Sequence, residues 1–165
     1  MKVKTVEQWF SEYAVSHQHP SNKTIHWIMV PAIYFSFVGL LWSLPLTGIN
    51  SDTHNSFPWL NAASLLALPV HWFYVRLSKP LALAMMLFTI FCFLLCELLI
   101  SISPLPLWQL SLSIFIIALL GQYIGHKIEG KKPSFFEDIQ YLLIGPLWLM
   151  GFVFNYLGLE YSPKK

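Results

Sequence analysis

The sequence has few charged residues for its length. Lysine and arginine contribute 10 of the 165 residues and aspartate and glutamate 8, so 11% of the chain is charged and 56% is hydrophobic. A soluble domain carries about 25% charged residues, and this chain is too apolar to cover itself in water. The net charge of +2 and the lack of a dense basic stripe give no indication of nucleic-acid binding. The composition predicts a polytopic integral membrane protein.

Cysteine and the common catalytic motifs are scarce as well. The two cysteines, Cys92 and Cys96, lie inside one apolar run, which predicts packing residues and no disulfide framework or CxxC zinc site. The sequence has no GxSxG, Walker-type or GxGxxG loop, and it lacks the HxxxH and HxxHH boxes of membrane desaturases. The N-terminus has no apolar core of the kind that a cleaved signal peptide carries.

Long apolar runs dominate what the sequence does contain. A membrane-spanning helix needs about 20 mainly apolar residues, and the runs predict an all-α bundle of four to five spanning helices. The turn signals TGINSDTHNS, LSKP and SPLP separate these runs. We expect residues 1–165 to form a single membrane domain. Its predicted apolar helices cover residues 26–46, 58–77, 80–102, 105–125 and 141–159.

The segment before the first span has the spacing of an amphipathic helix. One helical face carries Val6, Trp9, Phe10, Tyr13 and His17. We predict an interfacial helix within residues 1–20 that lies on the bilayer. Pro20 should end it, and Ser21 or Asn22 should cap the helix that follows.

Lysine and arginine occur in alternate connections along the chain. The N-terminal segment, residues 76–79 and the segment after residue 125 carry them, whereas the loops at 47–57 and 103–106 carry none. This alternation predicts a cytoplasmic location for the N-terminus and for the Gly-His segment at 125–126. Lysines at 164–165 break the alternation if the last run spans fully. Either that run is re-entrant or the tail is an exception.

Five of the six histidines fall at this predicted cytoplasmic face. They are His17, His19, His26, His71 and His126, and the sixth, His54, lies in an opposite loop. An isolated histidine at a helix end is usually a cap or an interfacial anchor, and we favour a structural role for His71. Convergence of several histidines at one depth also indicates a metal site, although imidazole suits Fe, Zn, Cu and Ni alike.

The stretch YIGHKIEGKKPSFFED concentrates ionisable groups after the fourth apolar run. His126 and Glu129 share a helical face if the helix continues through them. Glu129 then either binds a metal, holds an imidazole N–H, or pairs with Lys132. Residues 134–137 match a capping box and predict the start of the next helix. Asp138 is left as a supporting carboxylate or a surface charge.

Two blocks of the sequence resemble the Mpo1-like family, long catalogued as a domain of unknown function. SHQHPSNKTIHWIMVP contains H-x-x-P-x-N-x-x-x-H-x-x-x-x-P, and GQYIGHKIEGKKPSFFED contains Q-x-x-G-H followed by a glutamate, a basic pair, a proline and an aspartate. The resemblance extends from about residue 9 to residue 150 and is specific in these blocks. Characterised fungal members are Fe(II)-dependent 2-hydroxy fatty acid dioxygenases of the endoplasmic reticulum.

The resemblance implies a set of site residues. His17, His26 and His126 would bind Fe(II) and act in catalysis together with Glu129, and the polar residues that would support the cofactor are Asn22, Gln122 and Asp138. His19 and His71 have no counterpart in the family pattern. The family glutamate comes four residues after the Gly-His histidine, whereas Glu129 comes three after His126, which departs from the pattern of a ligand.

The resemblance also implies a reaction and a location. A 2-hydroxy fatty acid would chelate Fe(II) through its carboxylate and hydroxyl, and O₂ would cleave it between C1 and C2 to an acid one carbon shorter, as in lipid α-oxidation. The tail would lie among the helices and the head at the cytoplasmic face, in the inner membrane of a bacterium or the endoplasmic reticulum of a eukaryote.

Two other functional classes stay open at this point. One is a small transporter or lipid-binding membrane protein whose histidines are structural or pH-responsive. The other is a metal-dependent lipid hydrolase. No sequence feature predicts an oligomeric state.

Overall fold

The chain forms six helices in a computed structural model that describes residues 4–44, 59–132 and 140–162. In chain order they are α1 (Val6–Ala14), α2 (Pro20–Trp42), α3 (Ala62–Leu77), α4 (Lys79–Ile102), α5 (Leu107–Glu129) and α6 (Tyr141–Tyr156). The described residues contain no strand, so the all-α prediction is confirmed. Three helices, α2, α4 and α5, are long and apolar enough to cross a membrane, and α3 and α6 are shorter apolar helices. Helix length and apolar composition therefore support three of the four to five predicted membrane spans.

The start of α2 differs from the sequence prediction. His19 is the N-cap residue, and its Nδ1 accepts the Ser21 N–H at 3.2 Å. The prediction that Ser21 or Asn22 caps this helix is therefore wrong. Pro20 has a fixed φ angle that suits the first helical position, where no N–H is needed, so the helix begins there. The capping box predicted at 134–137 lies outside the described residues.

The helix α5 continues past the predicted boundary at residue 125. It ends at Glu129, and Gly130 follows with φ of 73° in the left-handed region, which closes the helix at its C-terminus. His126 and Glu129 consequently both lie in the last helical turn.

The helix pair α2 and α5 forms the centre of the bundle. Small residues bring the two helices together, in the pairs Gly39–Ser111, Met29–Gly121 and Asn22–Gly125. Small side chains allow close approach of helices in membranes, where packing rather than the hydrophobic effect holds them. The pair thereby places the start of α2 directly beside the end of α5.

The apolar face of α1 packs on α6. Trp9 contacts Tyr141 at 5.4 Å between ring centroids, and Tyr13 contacts Trp148 at 5.2 Å. The predicted amphipathic helix is present, but it is nine residues long and ends before His17. The face that the sequence predicted to lie on the bilayer is largely buried in the protein instead.

Both ends of α6 lie beside α1. In its first turn, the Tyr141 hydroxyl donates to Glu12 Oε2 at 2.7 Å. Beyond its last turn, the Tyr161 ring contacts Phe10 at 5.8 Å, and the Tyr161 carbonyl accepts the Ser78 hydroxyl at 2.5 Å. The helix therefore lies across one end of the bundle, next to the α3–α4 connection.

We call this end of the bundle the basic end, because the described lysines and arginines all lie there. They are Lys4, Lys23, Arg76, Lys79, Lys127, Lys131 and Lys132, located at the start of α1, α2 and α4 and at the end of α3 and α5. By the positive-inside rule this end is predicted to face the cytoplasm.

Cysteine labelling tests this topology. Lys132→Cys and Glu160→Cys should react from the same side of the membrane, because both positions belong to the basic end. His54→Cys, at a position outside the described residues, should react from the other side. The native Cys92 and Cys96 are 0% exposed, so their background labelling should be low. Labelling of position 160 from the side of position 54 would show that the last helix crosses the membrane.

Candidate metal centre

Three histidines from separate segments meet at the basic end. His17 lies in the α1–α2 connection, His26 in the second turn of α2 and His126 in the last turn of α5. Their side chains are 0%, 1% and 4% exposed. Each offers one nitrogen, and the three nitrogens lie within 4.8 Å of one another. We call this group the histidine triad.

Backbone carbonyls orient two of the three rings. His17 Nδ1 lies 2.7 Å from the Tyr13 carbonyl oxygen, and His26 Nδ1 lies 2.9 Å from the Asn22 carbonyl oxygen. A carbonyl oxygen can only accept a hydrogen bond, so each Nδ1 carries the proton and donates it. The Nε2 atom of each ring then keeps its lone pair, the form in which imidazole binds metals.

Two nitrogens of the triad lack hydrogen-bond partners. Among the described residues, His17 Nε2 and His126 Nδ1 are buried and make no hydrogen bond. A buried polar atom without a partner costs about 1–3 kcal/mol, and a bound cation would satisfy both. Three nitrogens around one tetrahedral ion at about 2.1 Å lie about 3.4 Å from one another, so the rings would move closer together than their present limit of 4.8 Å when an ion binds. The triad therefore fits a metal ion.

The surroundings of His17 keep its ring neutral. Burial, with the nearby His26 adding to the effect, lowers the pKa of His17 to about 3. The Tyr13 ring stacks on the imidazole at 4.1 Å and 15°, and the Trp148 ring lies at 5.5 Å. Neutral imidazole is the metal-binding form, and the two aromatic rings form a wall that shields it from water.

Glu129 lies near the triad but does not join it. Its Oε1 accepts the Gln18 N–H at 2.8 Å, and its Oε2 accepts the His19 N–H at 2.7 Å and the Asn22 Nδ2–H at 3.2 Å. The ligand atoms that lie within 4.8 Å of one another belong to the three histidines, and the Glu129 carboxylate is not among them. Within the described residues it forms no ion pair with Lys132. The carboxylate thus faces the α1–α2 connection.

The other predicted polar residues have different positions. Asn22 is fully buried, and its Nδ2 also donates to the Ser16 carbonyl at 3.2 Å. Gln122 is buried one turn before His126 on α5. Asp138 lies outside the described residues, so its role stays a prediction.

The two remaining described histidines lie outside the triad. His19 caps α2, and His71 donates from Nδ1 to the Ala67 carbonyl at 2.8 Å. His71 Nε2 lies 3.4 Å from the Thr89 hydroxyl, which in turn lies 2.6 Å from the Tyr34 hydroxyl. This chain joins α3, α4 and α2, in keeping with the structural role that we favoured for His71.

The sequence patterns missed the aromatic wall. Tyr13 was predicted only as part of an apolar helical face, and Trp148 as part of an apolar run. The spacing of four residues between Tyr13 and His17 is the signal that links them, because it places the Tyr13 carbonyl within reach of the His17 ring. No comparable signal links Trp148 to His17, since more than 100 residues separate them.

The chain is similar to a known protein family. A family model described as "2-hydroxy-palmitic acid dioxygenase Mpo1-like" matches residues 3–157, nearly the whole chain, and includes all three residues of the triad. No curated protein and no solved structure matches the sequence.

Proposed function

Because the chain belongs to the Mpo1-like family, we propose that it is an Fe(II)-dependent dioxygenase acting on a 2-hydroxy fatty acid. The proposed reaction consumes one O₂, cleaves the bond between C1 and C2, gives an acid one carbon shorter and releases C1 as CO₂ together with water. The observation that carries the proposal is the triad: His17, His26 and His126 are buried, and their ligand atoms lie within 4.8 Å of one another.

The residues of the site have distinct proposed roles. The triad would hold Fe(II), one of the ions that suit imidazole. The carbonyls of Tyr13 and Asn22 hold two of the rings in the binding tautomer. When bound, the iron would supply Lewis acidity toward the substrate carboxylate and hydroxyl and would activate O₂. Tyr13 and Trp148 exclude water from this side of the centre.

A cavity at the basic end supports an anionic substrate. It has a volume of about 640 Å³, and its lining includes the cations Lys4, Lys131 and Lys132 and the carboxylate Glu12. Ser16 also lines it, and the Ser16 hydroxyl lies 3.2 Å from His17 Nδ1, at the edge of the ring opposite the nitrogen that is free to bind a metal. Lysines at this position favour a carboxylate, while the apolar outer faces of the helices suit an acyl chain. The head of a lipid acid would therefore enter at the basic end, which we propose is cytoplasmic.

Oxygen uptake tests the proposed reaction. Detergent-solubilised protein is loaded with Fe(II) without oxygen and then mixed with 2-hydroxy palmitate and O₂. We expect stoichiometric iron, O₂ uptake that depends on substrate, and a product one carbon shorter by mass spectrometry. Palmitate without the hydroxyl should give neither uptake nor product, because it lacks one of the two groups that would bind the iron.

The rival functions give different results in the same experiment. A transporter or lipid-binding protein binds the acid without consuming O₂. A metal-dependent lipid hydrolase consumes no O₂ and gives no shortened product, because 2-hydroxy palmitate has no ester or amide bond to hydrolyse. Either result would exclude the dioxygenase.

A further inference from the structure

We propose that Glu129 is a positioning residue that assembles the histidine triad. Its carboxylate ties the α1–α2 connection, which carries His17, to the last turn of α5, which carries His126. The inference rests on the metal-binding part of the proposed function and is independent of the dioxygenase reaction.

Two backbone bonds form the first part of this tie. The amides of Gln18 and His19 directly follow His17, and they donate to the two oxygens of Glu129 at 2.8 and 2.7 Å. Hydrogen bonds to an ionised carboxylate are shorter and roughly twice as strong as neutral ones. The bonded partners are 111 and 110 residues apart in the chain. These two hydrogen bonds therefore hold together the α1–α2 connection and the end of α5, which are far apart in the sequence.

Asn22 extends the tie to the second histidine. Its Nδ2 donates to Glu129 Oε2 at 3.2 Å and to the Ser16 carbonyl at 3.2 Å. Its own carbonyl accepts the His26 Nδ1–H at 2.9 Å. Since His126 lies three residues before Glu129 on the same helix, one carboxylate is connected to all three rings.

The hydrogen bonds also argue against Glu129 as a ligand. Both of its oxygens are engaged by N–H donors, which point the carboxylate at the connection. The oxygens also lie outside the set of mutually close ligand atoms, so the carboxylate would have to turn toward the triad to bind an ion.

Glu129→Gln tests the tie with almost no change in shape. The glutamine places an NH₂ donor where one oxygen now accepts a backbone N–H, so one bond is lost and two donors face each other. In Co(II) titrations of the metal-free protein, we expect an affinity about 10–100-fold lower, the effect typical of residues that orient metal ligands. The Co(II) absorption band should keep its shape, because the same three histidines bind.

Glu97→Gln is the matched control. Glu97 is a carboxylate at the opposite end of the bundle, where it accepts the Trp42 Nε1–H at 3.1 Å. A glutamine oxygen can accept the same bond, so Co(II) affinity should stay at the wild-type value. Thermal unfolding of the metal-free variants distinguishes a positioning effect from a purely structural one. A purely structural effect lowers stability but leaves the Co(II) affinity of the folded protein unchanged.

Two outcomes overturn the proposal. Unchanged Co(II) affinity in Glu129→Gln shows that the carboxylate does not position the ligands, and an altered band shows that it is itself a ligand. If Glu129→Gln does not fold, Asn22→Ala carries the test, since it removes the side-chain bonds to Glu129 and to the Ser16 carbonyl and keeps the two backbone bonds to Glu129. It should weaken Co(II) binding by a smaller factor, and no weakening overturns the proposal. If the wild-type protein binds Co(II) but shows no O₂-dependent turnover with Fe(II), the proposed dioxygenase reaction is excluded. The proposed role of Glu129 is not affected by that result.

Discussion

Replacing His126 with alanine is expected to abolish both stoichiometric iron binding and substrate-dependent O₂ uptake. Residues that merely orient a metal ligand change affinity by about 10–100-fold, so the loss of a ligand should exceed about 100-fold. His126 Nδ1 makes no hydrogen bond among the described residues, so the substitution breaks no hydrogen bond at that atom. Metal analysis of the purified variant, together with O₂ uptake on 2-hydroxy palmitate, measures the effect.

His71→Ala provides the control for this substitution. His71 is also a histidine of the bundle, but it bonds to the Ala67 carbonyl and lies outside the triad. Its variant should keep the wild-type iron content. Equal iron in the His126 variant and the wild type, or equal loss in both variants, would contradict the assignment of the triad as the metal site.

Gly125→Ala is expected to lower both the stability of the protein and its Co(II) affinity, although Gly125 is not a metal ligand. A Cβ atom at this position would overlap the Asn22 Oδ1 atom and lie 3.4 Å from Asn22 Cγ. The Asn22 side chain cannot rotate away without breaking its bonds to the Ser16 carbonyl and Glu129. We expect unfolding free energy to fall by about 1–3 kcal/mol, as in other overpacked sites. Co(II) affinity should fall with it, because α2 and α5 carry His26 and His126.

Gly121→Ala separates this effect from the general effect of a glycine substitution. Its added Cβ would lie 2.7 Å from the Met29 sulfur, which belongs to a flexible side chain that can move aside. Both substitutions gain the same helix propensity, about 0.5–1 kcal/mol. Thermal unfolding and Co(II) titration should show a clear loss for position 125 and little change for position 121. Equal behaviour of the two variants would contradict the close contact with Asn22.

Much of the helical framework could be predicted from apolar runs and turn signals. The predicted runs overlap α2 through α6, although α2 begins six residues before the predicted start and α5 ends four residues after the predicted end. The position of α6 could be suggested but not decided. Its sequence is as apolar as a span, and only the contacts of Tyr141 and Tyr161 with α1 show that it lies across one end.

The candidate site could be predicted in part. The charge alternation placed His17, His26 and His126 at one depth, and the structure brings these three together while leaving His19 and His71 apart. Their role as ligands stays a prediction. The contacts of Glu129 could not be predicted, because helical spacing relates it to His126 but carries no information about backbone amides that lie 111 and 110 residues away.

The arrangement of the triad along the chain has a consequence for biosynthesis. His17 and His26 leave the ribosome early, whereas His126 follows about 100 residues later. Domains form from the N-terminus onward during synthesis, so the nascent chain holds an incomplete site until α5 has inserted and docked on α2. An unfinished chain consequently lacks one of the three histidines and cannot form the complete triad. Under the proposed function, iron would therefore bind only after α5 has docked on α2.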